Sequence, residues 1–282
     1  MKGYDKRRER SLVHFSLMQR PEAFMGDSSQ AIPCTFFILP PAFIGSLRLT
    51  SIYNSNKMRQ NNARIASFQC LIWQQAPKGL AKETGLVNKG NIYFTNTSPS
   101  EVYQAYLDQF SQDFNLFLKL RAEELVRGGG MVLTFVGRDE TCDIITPWGL
   151  IGLVLNDMVS ESLVEEAKLE YVNMPRYGPT AKEVKQLIDA EGSFTLEKLE
   201  TFKSRWDEGL KENGNGDFVL DTNVRANFIA KYVRATTEPF LTARFGEGII
   251  DELFIRFRKK VAELLEEVTL EHAYLVMFMT KK

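Results

Sequence analysis

The chain has 282 residues, of which 44% are hydrophobic, so it can form one large domain or two modest ones. Its net charge of −1 predicts neither a nucleic-acid partner nor an anionic membrane. The three cysteines are widely spaced, which disfavours a disulfide scaffold and a zinc site, and the longest apolar runs are too short to cross a bilayer. These features favour a cytoplasmic protein.

The clearest local signals lie in the first half of the chain. A strand-like run at Ile92–Thr95 leads into Ser98–Glu101, which has the order of a capping box with Pro99 at the first helical position. Apolar residues then recur at spacings of three or four, which predicts a long amphipathic helix that Gly128–Gly130 ends. Met131–Phe135 is almost wholly apolar and predicts a strand buried on both faces, as in a parallel sheet.

Further elements follow along the second half. Thr180 and Glu183 form a second capping box, which opens a helix that ends near Ala190, and Lys211–Asp217 has the composition of a linker. The other patterned segments predict a helix, a strand, two helices and a final strand, at Trp148–Ser160, Phe194–Phe202, Phe228–Thr236, Ile249–Leu265 and Ala273–Met279.

Buried strands that alternate with capped helices predict an α/β fold with a parallel sheet. We expect Met131–Phe135, Phe194–Phe202 and Ala273–Met279 to share one sheet, with helices on both faces. A helical cap is expected over the carboxyl edge of that sheet.

A series of sequence words resembles one protein family. In order, from about Leu39 to Lys282, they include NKGNIY, AYLDQF, FLKLRAEELV, GGGMVLTFVGR, LNDMV, VNMPRYGPT, EGSF, VRATTEPFL and RFGEGIIDELF. The chain is similar to the plant SABATH methyltransferases, which include salicylate, benzoate and jasmonate carboxyl methyltransferases and the N-methyltransferases of caffeine synthesis.

The resemblance implies a Rossmann-like sheet of the class I S-adenosylmethionine-dependent methyltransferases, incomplete on its N-terminal side, with a helical substrate cap. The implied division places the α/β core at 39–142, 191–206 and 251–282. The implied cap comprises 143–190 and 207–250, and residues 1–38 remain unassigned. A homodimer is also implied.

The implied reaction is transfer of a methyl group from S-adenosylmethionine to a small carboxylic acid of the salicylate, benzoate or jasmonate type. The substrate carboxylate is itself the nucleophile, because it is ionised at neutral pH, so no catalytic base is expected. Of the two histidines, His14 and His272, the second is interpreted as structural.

By the same resemblance, Phe43 contacts the cofactor, although core packing explains that residue equally well. Without the family match, Trp148 would also be assigned to the core. The residues implied to bind the substrate are Ile72, Trp73, Val136, Pro147, Trp148, Val233 and Thr236.

A structural magnesium ion is implied at Asn88, Glu170, Val172 and Asn173, since side-chain and backbone oxygens suit that ion. The alternative interpretation of these residues is a capped loop without metal.

The sequence lacks both turns that hold the cofactor in this family. There is no glycine-rich strand-to-helix turn like LGCSSGPN and no acidic turn like LPGNDFN. We therefore expect weak or no binding of S-adenosylmethionine by this chain. The alternative function is that of a truncated, non-catalytic member of the family that acts through dimerisation.

Overall fold

The computed structural model describes residues 65–69, 77–80, 88, 90–139, 145–210 and 221–282. Within this part of the chain one sheet has the strand order β1-β2-β4-β3. The strands are β1 Ile65–Gln69, β2 Gly130–Gly137, β3 Phe194–Arg205 and β4 Glu271–Lys281. The prediction that the three expected strand segments share one sheet is confirmed.

The helices are α1 Ser100–Glu124, α2 Pro147–Ser160, α3 Glu166–Leu169, α4 Ala181–Glu191, α5 Thr222–Phe245 and α6 Ile250–Glu267. Short 3₁₀ turns lie at Lys78–Leu80 and Glu247–Ile249. The predicted linker at Lys211–Asp217 falls outside the described residues. None of the described helices combines the length and the apolar character that a membrane crossing requires.

The predicted parallel sheet is found only in part, because β1 and β2 are parallel while β4 runs antiparallel to both of its neighbours. The reason lies in the connection from β3 to β4. It contains two helices, α5 and α6, which pack against each other. Such a helical hairpin returns the chain to the edge that it left, and there the Trp206 amide donates to the Leu270 carbonyl at 2.9 Å. Strand β4 therefore starts at the edge where β3 ends and runs antiparallel to β3.

The two central strands are buried on both faces, as predicted for Met131–Phe135. Their register places three apolar pairs on one face: Met131 opposite Met279, Leu133 opposite Met277 and Phe135 opposite Leu275. Helix α1 covers this face, since the rings of Phe110 and Phe114 lie 6.5 and 6.1 Å from that of Phe135.

The start of α1 differs from its prediction. Ile92–Thr95 is not a strand, and Ser98 does not cap the helix. The Ser98 hydroxyl instead accepts from the Thr95 amide at 2.9 Å and donates to the Asn88 side chain at 2.7 Å. That hydroxyl is engaged in the preceding turn, so Pro99 directly precedes the first helical residue, Ser100.

The ends of two helices follow their sequence signals more closely. The capping box of α4 is confirmed, with the Thr180 and Glu183 side chains each bonded to the other residue's amide. Helix α1 ends at Glu124, just before the glycine run, and Gly128 adopts a φ of 74° in the turn into β2. That left-handed backbone conformation is the one in which glycine avoids a steric cost.

Candidate functional site

A pocket of about 480 Å³ opens at the carboxyl end of β2. Its wall combines this strand end, Val136–Asp139, with the first residues of α2, Thr146–Trp148, and the loop Tyr93–Asn96. Arg176 and the segment Val268–Ala273 complete the main lining. Ligands of open α/β sheets bind at this edge of the strands, so the pocket is the candidate functional site.

The structure brings three predicted substrate-binding residues together in this lining: Val136, Pro147 and Trp148. The start of α2 fixes two of them, because the Thr146 hydroxyl accepts from the Gly149 amide at 2.9 Å and Pro147 occupies the first helical turn. Trp148 is only 7% exposed, so its indole is a fixed part of the wall.

The other predicted site residues do not join this lining. Val233 is fully buried on α5, and the Thr236 hydroxyl donates to the Tyr232 and Val233 carbonyls at 3.1 and 2.9 Å. Outside the described residues lie Phe43, Ile72 and Trp73. The binding roles of all these residues stay predictions.

The carboxyl end of β2 lies directly against the segment before α4. The Arg138 amide donates to the Pro179 carbonyl at 3.0 Å. A Cβ atom on Gly137 would lie 2.5 Å from the same carbonyl oxygen, which no side chain can do without a shift of the backbone. Glycine at this position therefore permits the close approach that shapes one wall of the pocket.

The Arg138 side chain joins β2 to α4. Its guanidinium donates to the Glu183 carboxylate at 2.6 Å and to the Tyr177 hydroxyl at 2.9 Å. The Tyr103 hydroxyl of α1 also donates to Glu183. The charge of Arg138 is paired with Glu183 inside this cluster, so Arg138 holds the pocket in shape.

Arg176 differs from Arg138, because among the described residues no carboxylate pairs with its side chain. Its guanidinium carbon lies 4.4 Å from the centre of the Trp148 ring. Burial lowers the pKa of Arg176, which reports the cost of holding this cation away from water. Arg176 was not predicted as a site residue, because a single arginine between two prolines belongs to no periodic pattern.

The ionisable groups around Arg176 carry no charge at neutral pH. Burial raises the pKa values of Tyr93 and Tyr274 to about 12 each. Burial, with a smaller contribution from Arg176, lowers the pKa of His272 to about 3. None of these groups exchanges a proton near neutral pH, and Tyr93 and His272, which line the pocket, can position a ligand by contact.

The described residues lend no support to the predicted magnesium site. The Asn88 amide is already used, since it donates to the Tyr93 carbonyl at 3.1 Å and accepts from Ser98. Asn173 has a buried side-chain oxygen without a partner, and Glu170 lies at the end of α3. Nowhere in the described ranges do three or more His, Cys, Asp or Glu residues form a metal-binding group.

The described lining fits an acceptor molecule better than it fits the cofactor. It offers an apolar wall, one unpaired cation and hydroxyl groups, which suit a small anion with an apolar body. The residue predicted to contact S-adenosylmethionine, Phe43, lies outside the described residues.

Comparison with known proteins assigns the family. Residues 59–282 match the family model described as SAM dependent carboxyl methyltransferase. The chain is 33% identical over 279 residues to a benzoic acid/salicylic acid carboxyl methyltransferase of Petunia hybrida, an alignment that covers 94% of this chain and 71% of that protein. It is 39% identical over 215 residues to a probable caffeine synthase of Coffea canephora, with 74% of this chain and 56% of that protein covered.

A solved structure of a loganic acid methyltransferase with SAH has the same fold, with a TM-score of 0.64 and 27% identity over 77% of this chain and 61% of that one. The chain thus spans little more than half the length of the Coffea relatives and about 71% of the Petunia enzyme. On the family match and the shared fold, the chain belongs to the SABATH family of S-adenosylmethionine-dependent carboxyl methyltransferases.

Proposed function

We propose that the chain methylates a small carboxylic acid, of the salicylate, benzoate or jasmonate type, in the pocket at the carboxyl end of β2. The observation that carries this proposal is the lining itself, where the apolar wall of Val136, Pro147 and Trp148 faces the same space as the cation of Arg176. S-adenosylmethionine, when bound, supplies a methyl group activated by its sulfonium.

The chemistry requires no catalytic base. A carboxylate oxygen of the acceptor forms the new bond to the methyl carbon while the carbon–sulfur bond breaks, so the products are the methyl ester and S-adenosylhomocysteine. The residues of the pocket contribute by orienting the acceptor and excluding water. This agrees with a described lining in which Tyr93 and His272 stay neutral.

The proposal includes the division of the chain into an α/β core and a helical cap. Helix α2, from the cap, contributes Pro147 and Trp148, and β2, from the core, contributes Val136. Val233 and Thr236 on α5 and Ile72 and Trp73 are proposed as further contacts to the acceptor, and Phe43 as a contact to the cofactor.

A second candidate function is non-catalytic, with the chain acting through dimerisation. It is favoured by the absence from the sequence of the glycine-rich and acidic turns that hold the cofactor in relatives. Under this alternative the pocket persists as a feature of the fold.

Incubation of the full chain with millimolar S-adenosylmethionine tests both functions. The acceptors are salicylate, benzoate, jasmonate and a methylxanthine, and mass spectrometry identifies the products. We expect a methyl ester from at least one acid, with its yield reduced about tenfold or more in Trp148→Ala, which removes the pocket wall. Lys185→Ala, on the exposed face of α4, is the control and keeps full activity.

Three other outcomes change the conclusion. Methylation of the xanthine alone would show that the acceptor atom is a nitrogen and not a carboxylate oxygen. No product from any acceptor, together with no binding of the cofactor, would establish the non-catalytic alternative. Equal yields from the wild type and Trp148→Ala would show that the reaction takes place outside this pocket.

A further inference from the structure

We propose that Arg176 binds a carboxylate of the acceptor and thereby restricts the pocket to anionic acceptors. The inference rests on the proposed function and adds to it the residue that recognises the charge of the acceptor. It also distinguishes the two classes of acceptor, because an acid carries that charge and a neutral xanthine does not.

Arg176 carries a charge that no described residue pairs. The other two cations of the lining have partners, since Arg138 pairs with Glu183 at 2.6 Å and Lys203 with Asp139 at 3.6 Å. Among the described residues no acid lies within ion-pair distance of Arg176. Glu271, a further acid of the lining, is exposed and forms no ion pair with it.

Arg176 is partly buried, and burying a cation costs free energy unless an anion or hydrogen bonds compensate it. The neighbours of Arg176 include Tyr93, Tyr232, Tyr274 and His272, none of which is ionised at neutral pH. A bound carboxylate would supply the missing negative charge.

The guanidinium donors of Arg176 are available to a ligand. The contact with the Trp148 ring, at 4.4 Å, uses the π-face of the indole, and no described residue hydrogen-bonds to the guanidinium. A guanidinium can therefore bind a carboxylate by charge-assisted hydrogen bonds while its position over the ring is kept.

Hydrogen bonds hold the segment that carries Arg176 on both sides. On one side the Met174 amide donates to the Ile92 carbonyl at 2.6 Å. On the other side the Gly178 amide donates to the Tyr93 hydroxyl at 3.2 Å, and the Pro179 carbonyl accepts from Arg138 at 3.0 Å. Because both flanks are hydrogen-bonded, the segment is already ordered before a ligand binds. Binding therefore costs little conformational entropy.

Binding through Arg176 is compatible with methyl transfer. A carboxylate has two oxygens and about four lone-pair sites, so one oxygen can accept from the guanidinium while the other forms the bond to the methyl carbon. The apolar body of the acid would then lie along Trp148 and Val136, which line the same pocket.

Calorimetric titration of the full chain with matched acids and amides tests the proposal. The pairs are benzoate with benzamide, salicylate with salicylamide and jasmonate with its amide, which have nearly the same shape and differ in charge. We expect the wild type to bind at least one acid about tenfold or more tightly than its amide. Arg176→Met should weaken that acid by about 10- to 100-fold and leave the amide within about twofold.

Two further variants make the result specific. Arg176→Lys keeps the charge and loses the planar donors, so its affinity for the acid should fall between those of the wild type and Arg176→Met. Arg244→Met is the control, since Arg244 also lies over an aromatic ring, that of Phe240 at 5.8 Å, and does not line the pocket. It should bind both ligands as the wild type does.

Loss of acid and amide binding by the same factor in Arg176→Met would overturn the proposal, because it would show a structural role. A wild type that prefers no acid over its amide would overturn it as well. Acid binding through Arg176 without methyl transfer would refute the proposed function alone, whereas methyl transfer that is unaffected in Arg176→Met would refute this inference alone.

Discussion

At the scale of single residues, the tyrosine and histidine side chains that surround Arg176 stay uncharged. The rings of Trp206 and His272 stack at 5.4 Å, and the Tyr232 hydroxyl lies 3.3 Å from the His272 ring. Because these contacts exclude water, they favour the neutral forms of the histidine and the tyrosines. The positive charge of Arg176 acts in the same direction on His272.

This environment predicts a pH dependence of stability. The pKa of His272 is about 3 in the folded protein and about 6.5 in an unfolded chain. As the pH falls below about 6.5, the unfolded state takes up the proton first, so the free energy of unfolding decreases from there towards pH 3. We expect His272→Gln to remove this decrease, by up to about 1.4 kcal/mol per pH unit.

Urea unfolding of the wild type and His272→Gln at several pH values between 7 and 4 measures the effect, with the difference between the two curves isolating the histidine from the carboxylates. Curves that stay parallel over this range would show that His272 is protonated as readily in the folded state as in the unfolded one.

The resemblance to the family, rather than a local pattern, identifies Val136, Pro147 and Trp148 as candidate substrate contacts. The structure places all three in one pocket, and their binding roles stay predictions. Arg176 could not be found in that way. Its contact with Trp148 joins two segments that are distant in the chain, and no local pattern encodes such a contact.

At the scale of elements, the Arg138 cluster ties β2, α1 and α4 together at the edge of the pocket. Glu183 has two roles in it, because one carboxylate oxygen caps α4 by accepting from the Thr180 amide at 2.8 Å and the other accepts from Arg138. The Arg138 and Glu183 side chains are only 15% and 14% exposed, so water screens their pairing poorly.

We predict that Arg138→Met lowers the free energy of unfolding by about 3 kcal/mol, since it leaves a partly buried carboxylate without its cation. The control is Lys185→Met in the same helix, whose pair with Asp189 is 59% and 57% exposed. That change should cost less than about 0.5 kcal/mol. Denaturant unfolding of both variants provides the comparison, and equal losses would mean that Arg138 contributes no more than a surface ion pair.

The elements themselves show where sequence patterns are sufficient. Helices α1, α2 and α5 and strands β2, β3 and β4 contain the predicted segments, and α6 contains all of Ile249–Leu265 except its first residue. The prediction of a strand at Ile92–Thr95 was wrong for a physical reason, because this segment packs as a loop. The Ile92 carbonyl bonds to the Met174 amide of another loop at 2.6 Å rather than to a partner strand.

At the scale of the whole molecule, the sheet direction was the main feature that the sequence could not predict. The direction of β4 depends on how many helices lie between β3 and β4 and on how these pack, which is a property of the tertiary structure. The family resemblance, from about Leu39 to Lys282, includes all of the residues 59–282 that the family model matches.

The last prediction concerns the cofactor. Under the non-catalytic alternative, we predict that the full chain binds S-adenosylmethionine weakly or not at all, because a charged amino acid and a ribose need several fixed donors and an acidic partner to replace water. The sequence contains neither the glycine-rich turn nor the acidic turn that supplies these groups in relatives. Calorimetric titration with S-adenosylmethionine and S-adenosylhomocysteine measures the affinity, with a carboxyl methyltransferase of the same family as the positive control. A micromolar dissociation constant for either ligand would contradict the prediction and show that other residues of this chain form the site.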